Sequence, residues 1–125
     1  MVDIEDIPNI PDQRERIQEV TVDCYGQSEE LSAMEVYLMD AIRYPFEATW
    51  RDPDAPDHAE PVTVLSFGTT DERRGILLEM QHGSKKRRVL AEQLWANDET
   101  GPNATVLNDY RYWVTELNGL TAGYD

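Results

Sequence analysis

Carboxylates are the one reactive group that this 125-residue sequence supplies in quantity: 25 Asp and Glu against 11 Lys and Arg, a formal net charge of −14. The densest group is RDPDAPDHAEP (51–61), where Asp52, Asp54, Asp57 and Glu60 are interleaved with three prolines. Asp52 and Asp54 have the spacing to share one hard cation, and prolines lower the entropy lost when such a loop becomes ordered. The stretch is not an EF-hand. Counted from Asp52, the sixth position, which must be glycine, is Asp57, and the twelfth, where a bidentate Glu belongs, is Thr63. A stiff, solvated connector has the same composition, and that plainer reading ranks first for the loop as a whole.

A second carboxylate group needs folding to assemble it. Asp40 falls at the end of the second predicted helix and Glu47 at the start of the first strand. Asp71 and Glu72 sit on a turn, and Asp109 lies beside Tyr112 on the last helix, off its apolar face. Carboxylates gathered this way make an oxygen-only site, which suits calcium, a cation that takes about six to eight oxygens in loose geometry. Asp40 and Asp109 each have a structural alternative, in which they anchor their helices by bonding backbone groups or an arginine.

Other chemistries find no support. No Ser, Thr or Cys stands in a nucleophile motif, and Cys24 falls on the apolar face of the first helix. His58 and His82, the only histidines, lie in loops without metal-ligand spacing, and there is no glycine-rich phosphate loop. The chain reads as non-enzymatic. The acidity is concentrated: residues 1–60 carry sixteen Asp and Glu against four arginines, a net of −12, and residues 61–125 a net of −2. Such a field repels phosphate backbones and attracts cations or a basic protein partner. With nine arginines and two lysines, part of the acidity also suits a protein working in high salt. KKRR (85–88) is the single basic cluster; as a nucleic-acid contact it ranks last, and it is expected to pair with the protein's own carboxylates or to blunt a strand edge. No apolar run reaches the length of a membrane span, the acidic N-terminus differs from a signal peptide, and a lone cysteine fits a reducing compartment, so a cytoplasmic location is expected.

The elements that must position these groups follow from periodicity. Residues 1–11, with Pro8 and Pro11, read as an extended arm, 12–118 as one domain and 119–125 as a tail. Asp12 is placed to cap a helix with Ile17, Val20 and Cys24 on one face; Ser28 is placed to cap a second with Leu31, Met34, Leu38 and Ile42. Pro45 stops it. Strands are predicted at 45–51, 61–67, 76–83 and 86–92, with a glycine-bounded turn at 68–75 and the acidic loop between the first two. A final helix presents Val106, Tyr110, Trp113, Val114 and Leu117 on one face. Two helices, about five short antiparallel strands and a C-terminal helix make an α+β domain, and strands this short curl readily into a small barrel.

Taken together, RERIQEVTVDCY (14–25), EVYLMDAIRYPFEATW (35–50), the strand run 62–94 and NDYRYWV (108–114) resemble the small acidic calcium-binding proteins first described in cyanobacteria, the CcbP family. The pieces Tyr44-Pro45-Phe46-Glu47-Ala48 and Asp109-Tyr110-Arg111-Tyr112-Trp113 carry most of the specificity. The resemblance implies a protein that buffers or senses cytosolic calcium, with helices packed on an SH3-like β-barrel. It also implies that Asp23, Asp40 and Asp109 are family-type carboxylates and that Glu30 matches the acid at the start of the second helix. With Glu47, Asp52, Asp54 and Asp57 these make the candidate Ca2+ ligands. Two departures point to weaker binding: Leu38-Met39-Asp40 where relatives often place an acid before the aspartate, and Arg73-Arg74 in an otherwise acidic turn. The alternative from another class is an acidic SH3-like module that binds a basic protein without any ion.

Overall fold

The computed structural model describes residues 12–55, 57–117 and 119–120; the arm expected at 1–11 and residues 121–125 of the expected tail lie outside that range. Two helices, α1 (Gln13–Val20) and α2 (Gln27–Ala41), precede strands β1 (Phe46–Arg51), β2 (Ala59–Asp71), β3 (Gly75–His82) and β4 (Lys85–Leu90). A 3-10 turn (Ala91–Gln93) then leads into β5 (Leu94–Ala96), and α3 (Pro102–Thr115) ends the domain. The expected order of elements is the observed one, with β5 lying outside the four predicted strand ranges.

Local chemistry explains most boundaries, with some differences. α2 buries Leu31, Met34 and Leu38, the predicted apolar stripe. It begins one residue before Ser28, so that serine lies inside the first turn instead of capping it. α1 is shorter than expected: it ends at Val20, where the Thr21 hydroxyl donates back to the Ile17 carbonyl (2.8 Å), and Cys24 falls beyond it. Asp12 precedes α1 as expected, but in left-handed geometry (φ 63°) with no side-chain cap.

The strands form one antiparallel sheet in the order β4-β3-β2-β1-β5. β2 runs longer than its sequence suggests, through Gly68 to Asp71, with register shifts at Val64/Ser66 and Phe67/Thr69. Gly68, expected to open a turn, instead sits where β3 passes close: a Cβ there would lie 2.7 Å from the Leu77 carbonyl oxygen. The real turn, 71–74, is closed by Asp71, whose Oδ1 accepts the amides of Arg73 and Arg74 at 2.8 Å each.

The expected barrel does not close. Among the described residues β4 and β5 do not pair, so the sheet is open, with β4 and β5 as its two edges. β5 has only three residues, which pair with β1, and Arg111 of α3 bonds the Glu92 carbonyl in the 3-10 turn and the Leu94 carbonyl at the start of β5. The core joins the buried face of α2 to Ala48, Val64, Leu78 and Leu94 of the sheet and to Tyr110 and Trp113 of α3.

Candidate functional site

α3 carries the main surprise. Its apolar residues Val106, Tyr110 and Trp113 are buried as predicted and Val114 partly so, while Leu117 lies beyond the helix and is exposed; Asn108, Asp109 and Arg111 are buried as well. Asp109, expected off the apolar face, is 0 % exposed. Buried polar groups need partners, and Asp109 has them on both oxygens. Oδ1 accepts from Gln13 Nε2 (3.1 Å) and Arg16 Nη2 (2.9 Å); Oδ2 accepts from Arg16 Nε (2.8 Å) and the Tyr37 hydroxyl (2.7 Å). The pair with Asp109 pushes the Arg16 guanidinium pKa up, while burial, with the hydrogen bond to Asp109, pushes the Tyr37 phenol well above its usual value. Both donors hold their protons, and the network ties α1 and α2 to α3.

Two residues on, Arg111 is also 0 % exposed. It donates to the Glu92 carbonyl (3.1 Å), the Leu94 carbonyl and Asn108 Oδ1, and its guanidinium carbon stands 3.5 Å from the centre of the Trp95 ring. Burial lowers its pKa to about 9. Neighbouring Glu92 is pushed up to about 7 by burial, and its Oε1 has no hydrogen-bond partner. A carboxyl whose folded pKa exceeds its unfolded one binds extra protons in the folded state, so its contribution to stability falls as pH rises from about 4.5 to 7. Glu92→Gln is therefore expected to flatten that decline; parallel urea titrations across this range, wild type against variant, measure the difference.

The remaining candidate carboxylates face solvent or bond neutral groups of the protein. Asp40 is exposed in the last turn of α2, a turn with no basic residue. There the negative end of the helix dipole adds to the carboxylate charge. Asp23 is exposed at a left-handed position (φ 64°), and Glu30 accepts the Trp113 indole N–H at 2.9 Å. Glu47 accepts from the Thr63 hydroxyl across the β1–β2 pair at 3.1 and 3.2 Å. Asp52 Oδ1 accepts the Asp54 amide (2.9 Å), and the loop is pinned by His58 N to Ala55 O (2.7 Å); Asp54 and Asp57 are exposed. Among the described residues, no three His, Cys, Asp or Glu side chains stand close enough to hold one metal ion. The fold thus brings Asp109 to a protein-made cation, Arg16, and leaves the others spread over the surface.

Two further features escaped the sequence reading. Glu47 lines a groove of about 310 Å³ together with Asn97, Asp98 and Asn103, which puts two carboxylates and two amide side chains on one concavity. Asp98 drew no notice because it sits in a loop that pairs with nothing until β5 lies beside β1. Gln13 and Arg16, to which the sequence assigned no role, are the other; their three-residue spacing, on the side of Ile17, was the available signal.

An acidic α+β protein whose candidate ligands are carboxylates, with no EF-hand loop, offers the oxygen chemistry that suits hard cations. Residues 15–114 match the family model of the CcbP calcium-binding proteins, described as calcium binding. The chain therefore belongs to the CcbP family. Solved structures agree in fold. The crystal structure of Anabaena CcbP superposes with a TM-score of 0.70 at 21% identity, covering 87% of this chain and 94% of that one. A structure titled "Calcium binding protein in the calcium-binding form" gives 0.73 at 20% identity, covering 93% and 97%. No curated protein matches the chain. No described helix is long and apolar enough to cross a membrane.

Proposed function

We propose that the protein is a non-enzymatic calcium binder that buffers or senses cytosolic calcium. The single observation carrying this reading is the family match across 15–114. Supporting it is a donor set made of oxygen atoms at the surface of a −14 chain. Asp40 is the carboxylate best placed to draw a cation, because it combines exposure with the negative end of α2. Glu47, next to Asp98 in the groove, comes second, with Asp23, Glu30, Asp52, Asp54 and Asp57 as supplementary ligands. Because no three described carboxylates converge, the site completes its shell with water or by drawing side chains in. Calcium is expected to release heat in isothermal titration at physiological ionic strength, with Asp40→Asn weakening it roughly tenfold, about 1.4 kcal/mol. An absence of heat, together with no amide shift around Asp40, sinks the reading.

The ion-independent alternative has one observation in its favour. Val36 (54 % exposed) and Met39 (52 %) lie on the outer side of α2 next to Asp40, an apolar pair with an acidic border that suits a basic protein. Capture of such a partner that chelator leaves unchanged favours it.

A further inference from the structure

The basic run Lys85–Arg88 has no place in calcium binding, yet the fold gives it a defined one. It forms most of β4, an outer strand of the open sheet that, among the described residues, is hydrogen-bonded only to β3. One side of its backbone ladder therefore faces away from the sheet. All four side chains are exposed. In a chain with 25 acidic residues, none of the four is ion-paired among the described residues. The run sits on a strand edge, as one of the two expectations had it; of pairing with the protein's own carboxylates there is only the longer-range attraction between Arg87 and Glu60. Arg87 rests over Trp50, 5.1 Å from the ring centre, and the Arg88 stem runs over Gly68 of β2. Strand alternation sends Lys86 and Arg88 to one face of the sheet and Lys85 and Arg87 to the other.

We propose that the β4 edge is a docking site for an acidic, extended segment of another protein, which adds to the sheet as a sixth strand. Two kinds of complementarity point to this partner. The outward N–H and C=O groups of β4 match the backbone of a strand, and the exposed cations on both faces match acids placed along it. A second copy is a poor occupant, since pairing β4 with β4 sets like charges opposite each other. A long nucleic acid is also disfavoured: it meets the −14 field of the body and has no use for the backbone ladder.

The test uses the full chain with chelator present, so that calcium cannot bridge acid to acid. The probe is a fluorescent synthetic peptide alternating Glu with Thr and Val, followed by anisotropy. Three comparisons run beside it: the same peptide N-methylated on its pairing edge, a single-stranded DNA of equal charge, and K86E/R88E protein. The peptide is expected to bind saturably and to shift the amide resonances of residues 85–90. N-methylation and K86E/R88E are each expected to weaken it by about tenfold or more, and a Lys-for-Glu peptide is expected to rescue the charge-reversed protein. Because both substituted side chains are exposed, the variant keeps the wild-type melting temperature. Absent saturation, equal binding of the N-methylated peptide, or tighter binding of DNA overturns the proposal.

Discussion

Arg16→Ala is expected to destabilise the domain by ~3–5 kcal/mol in urea denaturation, the range for removing one partner of a buried charge pair. The remaining partner is the worse one to strand. Asp109 is fully buried whereas the Arg16 side chain is 29 % exposed, so removing the arginine leaves a charge away from water with only Gln13 and Tyr37 to bond it. The same variant separates two roles for Asp109. If its task is to hold α1 and α2 against α3, calcium heat per folded molecule is unchanged while stability drops. A carboxylate serving mainly as a calcium ligand gives the opposite pattern: with Arg16 gone it binds the ion more tightly.

Arg111→Ala comes next, with an expected loss of roughly 3–4 kcal/mol from a buried cavity and orphaned acceptors. The substitution removes the donor to two carbonyls and to Asn108 and uncovers the Trp95 ring that the guanidinium stacks on. It also takes away the positive charge that favours ionised Glu92, so the Glu92 pKa is expected to rise further. Denaturation at two pH values, one below and one above about 7, reads both effects: the penalty is larger at the higher pH, where the carboxyl must ionise. A loss confined to the amide signals of β5, with the rest of the domain intact, counts against a keystone role.

Reading the chain from its residues placed the elements in their true order because the signals there are local. Leu31, Met34 and Leu38 mark the buried stripe of α2 at helical spacing, and the β-branched run at 61–67 marks the second strand. What failed was long-range. Whether β4 meets β5, and that Arg111 reaches the start of β5 from α3, are not written in the spacing of either strand. Gly68 was misplaced for a related reason: a glycine that opens a turn and one that lets a neighbouring strand pass look the same in isolation.

The site shows the same divide. Oxygen chemistry, and hence calcium, was legible from composition and from the family's motifs. The roles of single carboxylates were not. Asp71 and Asp52 are spent, at least in part, on the amides of their own turns, and Asp109 on an arginine 93 residues away. Spacing cannot tell a carboxylate waiting for a metal from one already satisfied by the protein, since the physical demand for positive charge is the same. The structural alternative stated for Asp109 at the outset is the one that the Arg16 pair supports.

α1 has a consequence for how the molecule breathes. Eight residues are too few to persist as a helix in water, so α1 exists because Ile17 is buried and because Gln13 and Arg16 reach Asp109. Its amide protection is in effect a gauge of one carboxylate. Hydrogen exchange along 13–20 should open as a unit, ahead of the sheet. Any cation that competes for Asp109 would register first as α1 lifting from α3, long before the core itself notices.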